Sequence, residues 1–254
     1  DDGRILVAGS TNSGSSYDFL LARFKTDGSL DTSFSGDGWQ SFDYDGEYDQ
    51  LADVIVLESG RILAAGYVRP SGGHSNIAVA RYLPNGTPDP DFGVNGLFTL
   101  NLTSHSRATA LIELPDNRIA VVGWNIGTDW DGVVLLLNED GTLDTSFGNN
   151  GYAVTDLGGD DAFYTLLRQP DGKLLAGGSG GNPGDRDLCL ARYLLDGSLD
   201  NSYGTSGISC VDAREIDRVY DIALQDDRRV LACGATDLGG NQVDFLLARF
   251  DEDG

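Results

Sequence analysis

The 254-residue chain carries 40 acidic side chains against 17 Lys and Arg, which gives a formal net charge of −23 at pH 7. This acidity excludes nucleic-acid binding by counterion release, because that mode needs a basic face. No stretch approaches the ~18 uninterrupted apolar residues of a membrane span, and no long polar tract marks a linker, so we expect one domain.

The chain opens on a series of short apolar runs. Residues 4–9 (RILVAG) are joined by a Gly/Ser/Asn-rich loop to residues 18–24 (DFLLARF). Both runs are apolar at nearly every position, which favours short strands buried on both faces. The turn at residues 27–34 (DGSLDTSF) contains Asp-Gly, which supplies the positive φ of a tight turn. Patchier runs follow at residues 39–42 and 51–57.

The same series then recurs along the chain. Segments like RILVAG begin at residues 4, 61, 118, 173 and 229, and segments like DFLLARF begin at residues 18, 76, 131, 187 and 244. Four short strands in a unit of 55 to 57 residues are typical of a β-propeller blade. A parallel βαβ fold is the rival, but no segment between the runs has helical spacing. We therefore predict an all-β propeller of four-stranded antiparallel blades.

The order of strands in a blade predicts where the series starts and stops. If the run before each RILVAG-like segment is innermost, the chain starts on a second strand and stops after a third strand. It then holds five repeat units, of which the first and the last are incomplete. We expect the chain to be a single propeller domain or a fragment of one, covalently part of a longer chain.

The pattern DGRILVAG, DFLLARF and DGSLDTSF resembles the delta-60 repeat family, a domain-of-unknown-function β-propeller of secreted bacterial proteins. The NHL-repeat propellers are similar in their DGRI and FG elements only. The third unit departs from the pattern, because Leu136 stands where the other units have an arginine. The resemblance implies a secreted or surface propeller within a larger protein, and it implies no catalytic residues.

Two polar features recur with the repeat. Arg23, Arg81 and Arg192 are each followed eight residues later by an aspartate, which predicts a buried ion pair in each of these blades and none at Leu136. An Asp or Asn begins every third strand, where a structural hydrogen bond is favoured over a ring of ligands; these residues are Asp18, Asn76, Asp131, Asp187 and Asp244.

The three cysteines are Cys189, Cys210 and Cys233, and they have neither CxxC nor metal-ligand spacing. Each lies inside an apolar run. We therefore expect small buried hydrophobic side chains, with a disulfide as the alternative.

The loops after the second and the outer strands vary in length and content, and binding sites on repeat scaffolds tend to lie on the variable face. Trp124 and Trp130 could stack on a sugar ring, with blade packing as the alternative. His74 and His105 lie in different loops without a partner spacing, so solvated histidines are favoured over ligands or bases. The binding candidates of this rim are His74, His105, Trp124, Trp130, Asp160 and Asp161.

One loop has carboxylates at spacings similar to a calcium loop, namely Asp43, Asp45 and Asp49. It lacks a third early ligand and the glutamate at the twelfth position, so an ordinary acidic loop is the alternative. We expect no cofactor, with calcium at these carboxylates as the alternative.

These observations favour a noncatalytic, secreted or cell-surface propeller that acts as a recognition or spacer module, with an extracellular protein or a glycan as partner. The reasons are the near-equal repeats, the missing catalytic constellation and an acidity that keeps the protein soluble. The alternatives are a carbohydrate-active hydrolase or lyase with its site on the variable rim, and a lectin-like glycan-binding propeller.

Overall fold

The structure is a computed structural model that describes residues 2–12, 14, 16–44, 47–102, 104–182, 184–213, 216–237 and 242–254. Over these residues the chain forms eighteen β-strands and no helix, which confirms the all-β prediction. The described part therefore contains no helix that could cross a membrane. The chain divides into two compact units. Unit 1 is the chain up to Glu113 together with Asn138–Thr142, and unit 2 is Leu114–Leu137 together with Leu143–Gly254.

Unit 1 contains the first two blades. Blade 1 has the sheet order β1-β2-β3, and blade 2 has the order β4-β5-β6-β7. All neighbours within a blade are antiparallel. The strands are β1 (Ile5–Asn12), β2 (Tyr17–Phe24), β3 (Trp39–Phe42), β4 (Gln50–Val56), β5 (Ile62–Val68), β6 (Asn76–Tyr82), β7 (Leu97–Leu100) and β8 (Ser106–Glu113).

Unit 2 contains the second, third and outer strands of blade 3, in the order β9-β10-β11, followed by blades 4 and 5. Blade 4 comprises β12 to β15 and blade 5 comprises β16 to β18, and a single parallel pairing of Arg186 with Ile216 connects their sheets. The strands are β9 (Ile119–Ile126), β10 (Trp130–Leu137), β11 (Tyr152–Thr155), β12 (Ala162–Arg168), β13 (Leu174–Asn182), β14 (Asp185–Tyr193), β15 (Ile208–Val211), β16 (Ile216–Leu224), β17 (Val230–Asp237) and β18 (Val243–Phe250).

The predicted strand order is confirmed in the complete blades 2 and 4, where the strand before each RILVAG-like segment is innermost. The sheet of blade 1 has no strand inside β1, and that of blade 5 has no strand outside β18, among the described residues. The expectation of one domain stays a prediction.

Blades stack through two faces that we name by their residues. The forward face carries Phe19 and Leu21 on β2 and their equivalents in other blades. The rear face carries Ile62 and Ala64 on β5 and their equivalents. In unit 1 these four side chains are buried in one cluster, so the forward face of blade 1 packs on the rear face of blade 2. In unit 2 the forward face of blade 4, with Leu188 and Leu190, packs on the rear face of blade 5, with Val230 and Ala232.

The prediction that all central strands are buried on both faces is wrong for the terminal blades. Residues 18–24 and 244–250 have the same sequence, yet Phe19 is 0% exposed and Phe245 is 102% exposed. Among the described residues no blade covers the forward face of β18, or the rear face of β1, where Ile5 and Val7 are exposed. Burial here depends on the neighbouring blade, which a repeat unit's own sequence does not encode.

The predicted arginine–aspartate pairs are confirmed in blades 1, 2 and 4. Each arginine Nε lies 2.8 Å from an aspartate Oδ2 of its own blade's turn; the pairs are Arg23–Asp31, Arg81–Asp89 and Arg192–Asp200. A second cation from the start of the second strand contacts the same oxygen of each aspartate, namely Arg4, Arg61 and Lys173. Sequence spacing did not predict this second contact.

The same arginines also join neighbouring blades. Nη1 of Arg23 donates to the carbonyl of Pro84 at 2.7 Å, and Nη1 of Arg192 donates to the carbonyl of Glu252 at 2.8 Å. Nη1 of Arg81 donates to the carbonyl of Glu139. All three acceptors occupy the same position in a turn of the next repeat, two residues before its glycine. Each arginine therefore links its own turn to that of the next blade.

Blade 3 lacks this link, as predicted. Leu136 is fully buried at the arginine position, and the turn aspartate, Asp144, pairs instead with Nη1 of Arg118 at 2.8 Å.

We expect the turn carboxylate of blade 1, Asp31, to make stability fall in acid. Hydrogen bonds from Ser33, with that from Arg23, lower the pKa of Asp31 to about 2, against about 3.9 in an unfolded chain. Because the folded-state pKa is depressed, this stabilisation is present above about pH 4 and is lost as the pH falls toward 2. The free energy of unfolding of Asp31→Asn, measured from pH 6 to pH 2, should therefore fall less steeply than that of the wild type. Parallel curves would contradict this assignment.

The interpretation of all three cysteines as buried hydrophobic residues is wrong. Cys189 of β14 and Cys210 of β15 form a disulfide, and Cys233 is an exposed free thiol on the forward face of blade 5. Cys189 and Cys210 lie directly opposite each other in the strand register, with a Cα–Cα distance of 4.2 Å. Spacing along the chain does not show this register, which depends on where β15 pairs with β14.

Candidate functional site

The variable rim of unit 2 brings together the two tryptophans that the sequence singled out. Trp124 on β9 lies opposite Gly132 in the register, and Trp130 precedes Gly132 by two residues on β10, so the indoles meet diagonally across the strands. Their rings are stacked, with centroids 4.5 Å apart and planes 14° apart. Trp124 is buried and Trp130 is half-buried.

An arginine and a carboxylate extend this stack. The guanidinium of Arg186 lies over the Trp130 ring, 5.9 Å from its centroid, and its Nη2 lies 2.5 Å from Oδ2 of Asp160. The Trp130 ring stacks on Trp124, and the guanidinium of Arg186 makes a cation–π contact with the same ring. The two tryptophans thus pack against each other within the rim of unit 2.

Three carboxylates of the same unit form an acidic cluster, defined as Asp131, Asp156 and Asp161. Oxygen atoms of the three groups lie within 4.8 Å of one another. Asp131 extends from β10, Asp156 follows β11, and Asp161 precedes β12. The cluster therefore joins the third strand and outer loop of blade 3 to the inner strand of blade 4.

Backbone amides hold two of these carboxylates. Oδ1 of Asp161, which is 0% exposed, accepts the N–H of Gly181 at 2.9 Å, and its Oδ2 accepts the N–H of Leu157. Oδ1 of Asp156 accepts the N–H of Gly158 at 2.7 Å. These bonds fix the carboxylates without neutralising their charge.

The cluster concentrates negative charge. Burial, reinforced by the charges of Asp156 and Asp131, raises the pKa of Asp161 to about 6 against the opposing backbone hydrogen bonds. Burial, together with the charges of Asp156 and Asp129, also raises the pKa of Asp131. A hard cation would relieve this repulsion, and carboxylate oxygens are the ligands that Ca²⁺ prefers.

The loop with calcium-like spacing does not form such a group among its described residues. Oδ2 of Asp49 accepts the N–H of Tyr44 at 2.8 Å, and its Oδ1 accepts that of Arg69 at 3.3 Å. Burial, ahead of the charges of Asp43 and Asp18, raises the pKa of Asp49 to about 6. Asp43 is exposed, and Asp45 lies outside the described residues. Asp49 thus ties two loops together, as Asp161 does.

The two histidines meet in unit 1, although their loops are distant in sequence. The rings of His74 and His105 are edge-on with centroids 4.7 Å apart. Nδ1 of His105 accepts the N–H of Ser75 at 3.1 Å. Burial, followed by the charges of His74, Arg69 and Arg107, lowers the pKa of His105. The six binding candidates therefore divide between two places, the histidines in unit 1 and Trp124, Trp130, Asp160 and Asp161 in unit 2.

Sequence reasoning missed Asp156 and Arg186 as residues of this rim. Asp131 was singled out only as a repeated strand residue. The signal that could have found the acidic cluster is a comparison of all repeats column by column, including the residue after each outer strand.

Comparisons with known proteins agree with this architecture. Residues 1–34, 58–92, 114–147, 169–203 and 225–254 match the family described as "Domain of unknown function (DUF5122) beta-propeller", and these matches span more than half of the chain. No curated protein matches the chain.

Similar folds occur among solved structures. A protein of unknown function from Dyadobacter fermentans DSM 18053 is similar with a TM-score of 0.51 and 15% identity, over 93% of this chain and 72% of that one. A putative exo-beta-1,3-galactanase from Bifidobacterium bifidum s17 is similar with a TM-score of 0.44 and 13% identity, over 97% and 88%. A thermostable family-43 glycoside hydrolase is similar with a TM-score of 0.44 and 14% identity, over 98% and 92%.

At 15% identity, the likeness to the Dyadobacter fermentans protein shows the fold alone. The repeat matches cover every unit found in the sequence and coincide with the RILVAG-like, DFLLARF-like and turn segments. The chain belongs to the DUF5122 β-propeller repeat family.

Proposed function

We propose that this chain is a noncatalytic spacer and recognition module of a larger secreted or cell-surface protein, and that its terminal faces bind further blades of the same repeat. The observation that supports the proposal most strongly is the exposure of the two terminal faces. The forward face of blade 5 exposes Phe245 and Leu247, and the rear face of blade 1 exposes Ile5 and Val7.

The equivalent residues elsewhere form the contacts between blades. Phe245 and Leu247 correspond to Leu188 and Leu190 of blade 4, which are 0% exposed because blade 5 covers them. Ile5 and Val7 correspond to Ile62 and Ala64 of blade 2, which blade 1 covers. The two exposed faces are therefore the two halves of one repeated interface.

The polar part of that interface is present as well. Arg249 is exposed on the forward face at the position of Arg23, Arg81 and Arg192. Thr26 on blade 1 occupies the same turn position as Pro84, Glu139 and Glu252. In those three residues the backbone carbonyl accepts a hydrogen bond from the arginine of the preceding blade. A further blade of this repeat would thus satisfy both the apolar and the charged groups of the face. Head-to-tail contacts of this kind are heterologous and can continue through several copies.

Burial of the candidate carboxylates supports a noncatalytic role. A general acid or base must reach its substrate within hydrogen-bonding distance. Asp49 and Asp161 are 1% and 0% exposed, and both accept backbone N–H groups instead. Turnover of a polysaccharide by the purified chain would overturn this part of the proposal.

The disulfide supports an extracellular location. Disulfides persist in oxidising compartments and are rare in the cytosol. The Cys189–Cys210 bond lies within one blade, where it crosslinks the third and outer strands. A divalent cation at the acidic cluster would fit this location, because calcium is abundant outside cells.

Sedimentation velocity of the isolated chain tests whether the terminal faces bind further blades, because a second copy of the chain can supply the blade. We expect association that increases with concentration and that Phe245→Asp abolishes, because a charge at the centre of the apolar face cannot be buried. Val94→Asp is the matched control, since Val94 is a 75% exposed valine in a turn. A chain that stays monomeric at every concentration, or association that both variants reduce equally, would contradict the proposal.

A further inference from the structure

The acidic cluster has counterparts in other repeats. In each, an aspartate begins the third strand, another follows the outer strand, and a third lies at the start of the next inner strand. The sets are Asp18, Asp43 and Asp49; Asp131, Asp156 and Asp161; and Asp187, Asp212 and Asp217. The second repeat has neutral residues at all three positions, Asn76, Asn101 and Ser106.

The second repeat therefore differs from the acidic repeats at all three positions together. If each aspartate only formed its own hydrogen bonds, the three positions could vary independently. Ser106 forms uncharged hydrogen bonds with other groups, because its Oγ accepts the N–H of Ile77 at 3.3 Å and donates to the carbonyl of Ser75 at 3.4 Å. Among the described residues, only the third repeat brings its three carboxylates within 4.8 Å of one another, so the third repeat is the one that can hold a cation.

A second observation points to a ligand at the third repeat. Asn125 is 8% exposed, and its Oδ1 is buried without a hydrogen-bond partner among the described residues. Asn125 is the register partner of Asp131 across β9 and β10, so both side chains project from the same face of the sheet. A buried carbonyl oxygen without a donor costs stability unless something else binds it.

We propose that Asp131, Asp156 and Asp161, together with Oδ1 of Asn125, bind one calcium ion. Ca²⁺ takes six to eight oxygen ligands in flexible geometry, whereas Mg²⁺ requires a near-ideal octahedron and keeps several waters. Four side chains from three chain segments suit the larger ion, with water completing its shell. The ion ties the loop after β11 and the start of β12 to the hairpin of β9 and β10, so that it fastens blade 3 to blade 4.

The existing hydrogen bonds are compatible with this role. Each carboxylate oxygen has more than one lone pair, so the N–H groups of Gly181 and Gly158 leave acceptor capacity for a cation. The carbonyl of Trp130 accepts the N–H of Asp161 at 2.7 Å, which brings a tryptophan residue next to the site. Terbium, a calcium analogue, should therefore luminesce when the tryptophans are excited.

The decisive comparison uses two variants that each remove one negative charge. Asp156→Asn keeps an acceptor for the Gly158 amide but removes a ligand charge, whereas Asp129→Asn removes a charge from the same rim outside the cluster. We expect terbium to bind the chelator-treated wild type and Asp129→Asn with similar affinity, and Asp156→Asn at least about tenfold more weakly. Calcium at ~10 mM should likewise raise the melting temperature less in Asp156→Asn than in Asp129→Asn, since extracellular sites bind in the range of about 10⁻⁴–10⁻³ M.

A third variant tests Asn125 by a gain of affinity. Asn125→Asp adds a fourth carboxylate, so we expect a lower melting temperature than the wild type without calcium and a larger rise on its addition. A wild type that does not sensitise terbium, equal losses in Asp156→Asn and Asp129→Asn, or an Asn125→Asp variant that calcium does not rescue would each overturn the assignment. These measurements need no second blade or partner, so they fail independently of the association experiment.

Discussion

Arg81→Leu is expected to lower the free energy of unfolding by about 3–5 kcal/mol, because it leaves a buried carboxylate without its buried partner. Asp89 is 1% exposed, and Nε of Arg81 donates to its Oδ2 at 2.8 Å. The variant also removes the donor to the carbonyl of Glu139, so the link to the next turn is lost with the ion pair. Urea denaturation of wild type and variant, followed by circular dichroism, measures the difference.

Two further variants separate the buried link from a general loss of charge. Arg61→Leu removes the second, more exposed cation of Asp89, 3.2 Å away, and should cost less than ~1 kcal/mol, as exposed ion pairs do. Adding Asp89→Asn to Arg81→Leu should restore part of the stability, because the uncompensated charge is gone. Equal effects of Arg81→Leu and Arg61→Leu would show that the arginine link does not stabilise the blades.

Loss of the Cys189–Cys210 disulfide is expected to have the second-largest effect, about 3 kcal/mol, because the bond closes a loop with a sequence separation of 21 residues. The strand register explains the bond. The N–H of Arg192 donates to the carbonyl of Gly207, so these two residues form a hydrogen-bonded pair. Hydrogen-bonded and non-hydrogen-bonded pairs alternate along antiparallel strands. Cys189 and Cys210, three positions away, therefore form a non-hydrogen-bonded pair, in which Cα atoms approach to about 4.5 Å. The observed Cα–Cα distance is 4.2 Å.

Denaturation of the oxidised chain with and without reductant measures this contribution. The double variant Cys189→Ala, Cys210→Ala should match the reduced wild type and should be insensitive to reductant. Cys233→Ala is the control, because its thiol is exposed and free, and it should keep the full effect of reduction. Alkylation of all three cysteines in the native, unreduced protein would refute the pairing.

Much of the fold could be predicted from the sequence because the repeat carries local information. Apolar runs and Asp-Gly turns define the strands of each blade, and the eight-residue interval from Arg81 to Asp89 brings together two groups that meet across one turn. Leu136 was correctly predicted to lack this pair, since an apolar side chain cannot make it.

What could not be predicted depends on neighbours in space. Ala78 and Thr99 occupy the same register positions in blade 2 as Cys189 and Cys210 in blade 4, so nothing in the repeat pattern itself marks a crosslink. The acidic cluster draws on β10 and on both ends of the loop between β11 and β12, so its members come together only in the folded chain. Asn125 carries no sequence signal of its own, because its importance comes from facing Asp131 across two strands.

The most direct test of blade stacking uses the heptapeptide DFLLARF, which occurs at residues 18–24 and again at residues 244–250. Its intrinsic amide exchange is nearly the same in both places, but among the described residues only the first copy pairs with an outer strand and packs on a following blade. Hydrogen–deuterium exchange of the dilute, monomeric chain should therefore show at least about tenfold slower exchange in residues 18–24 than in residues 244–250. Equal rates in the two copies would contradict the central claim that neighbouring blades bury and protect each other's central strands.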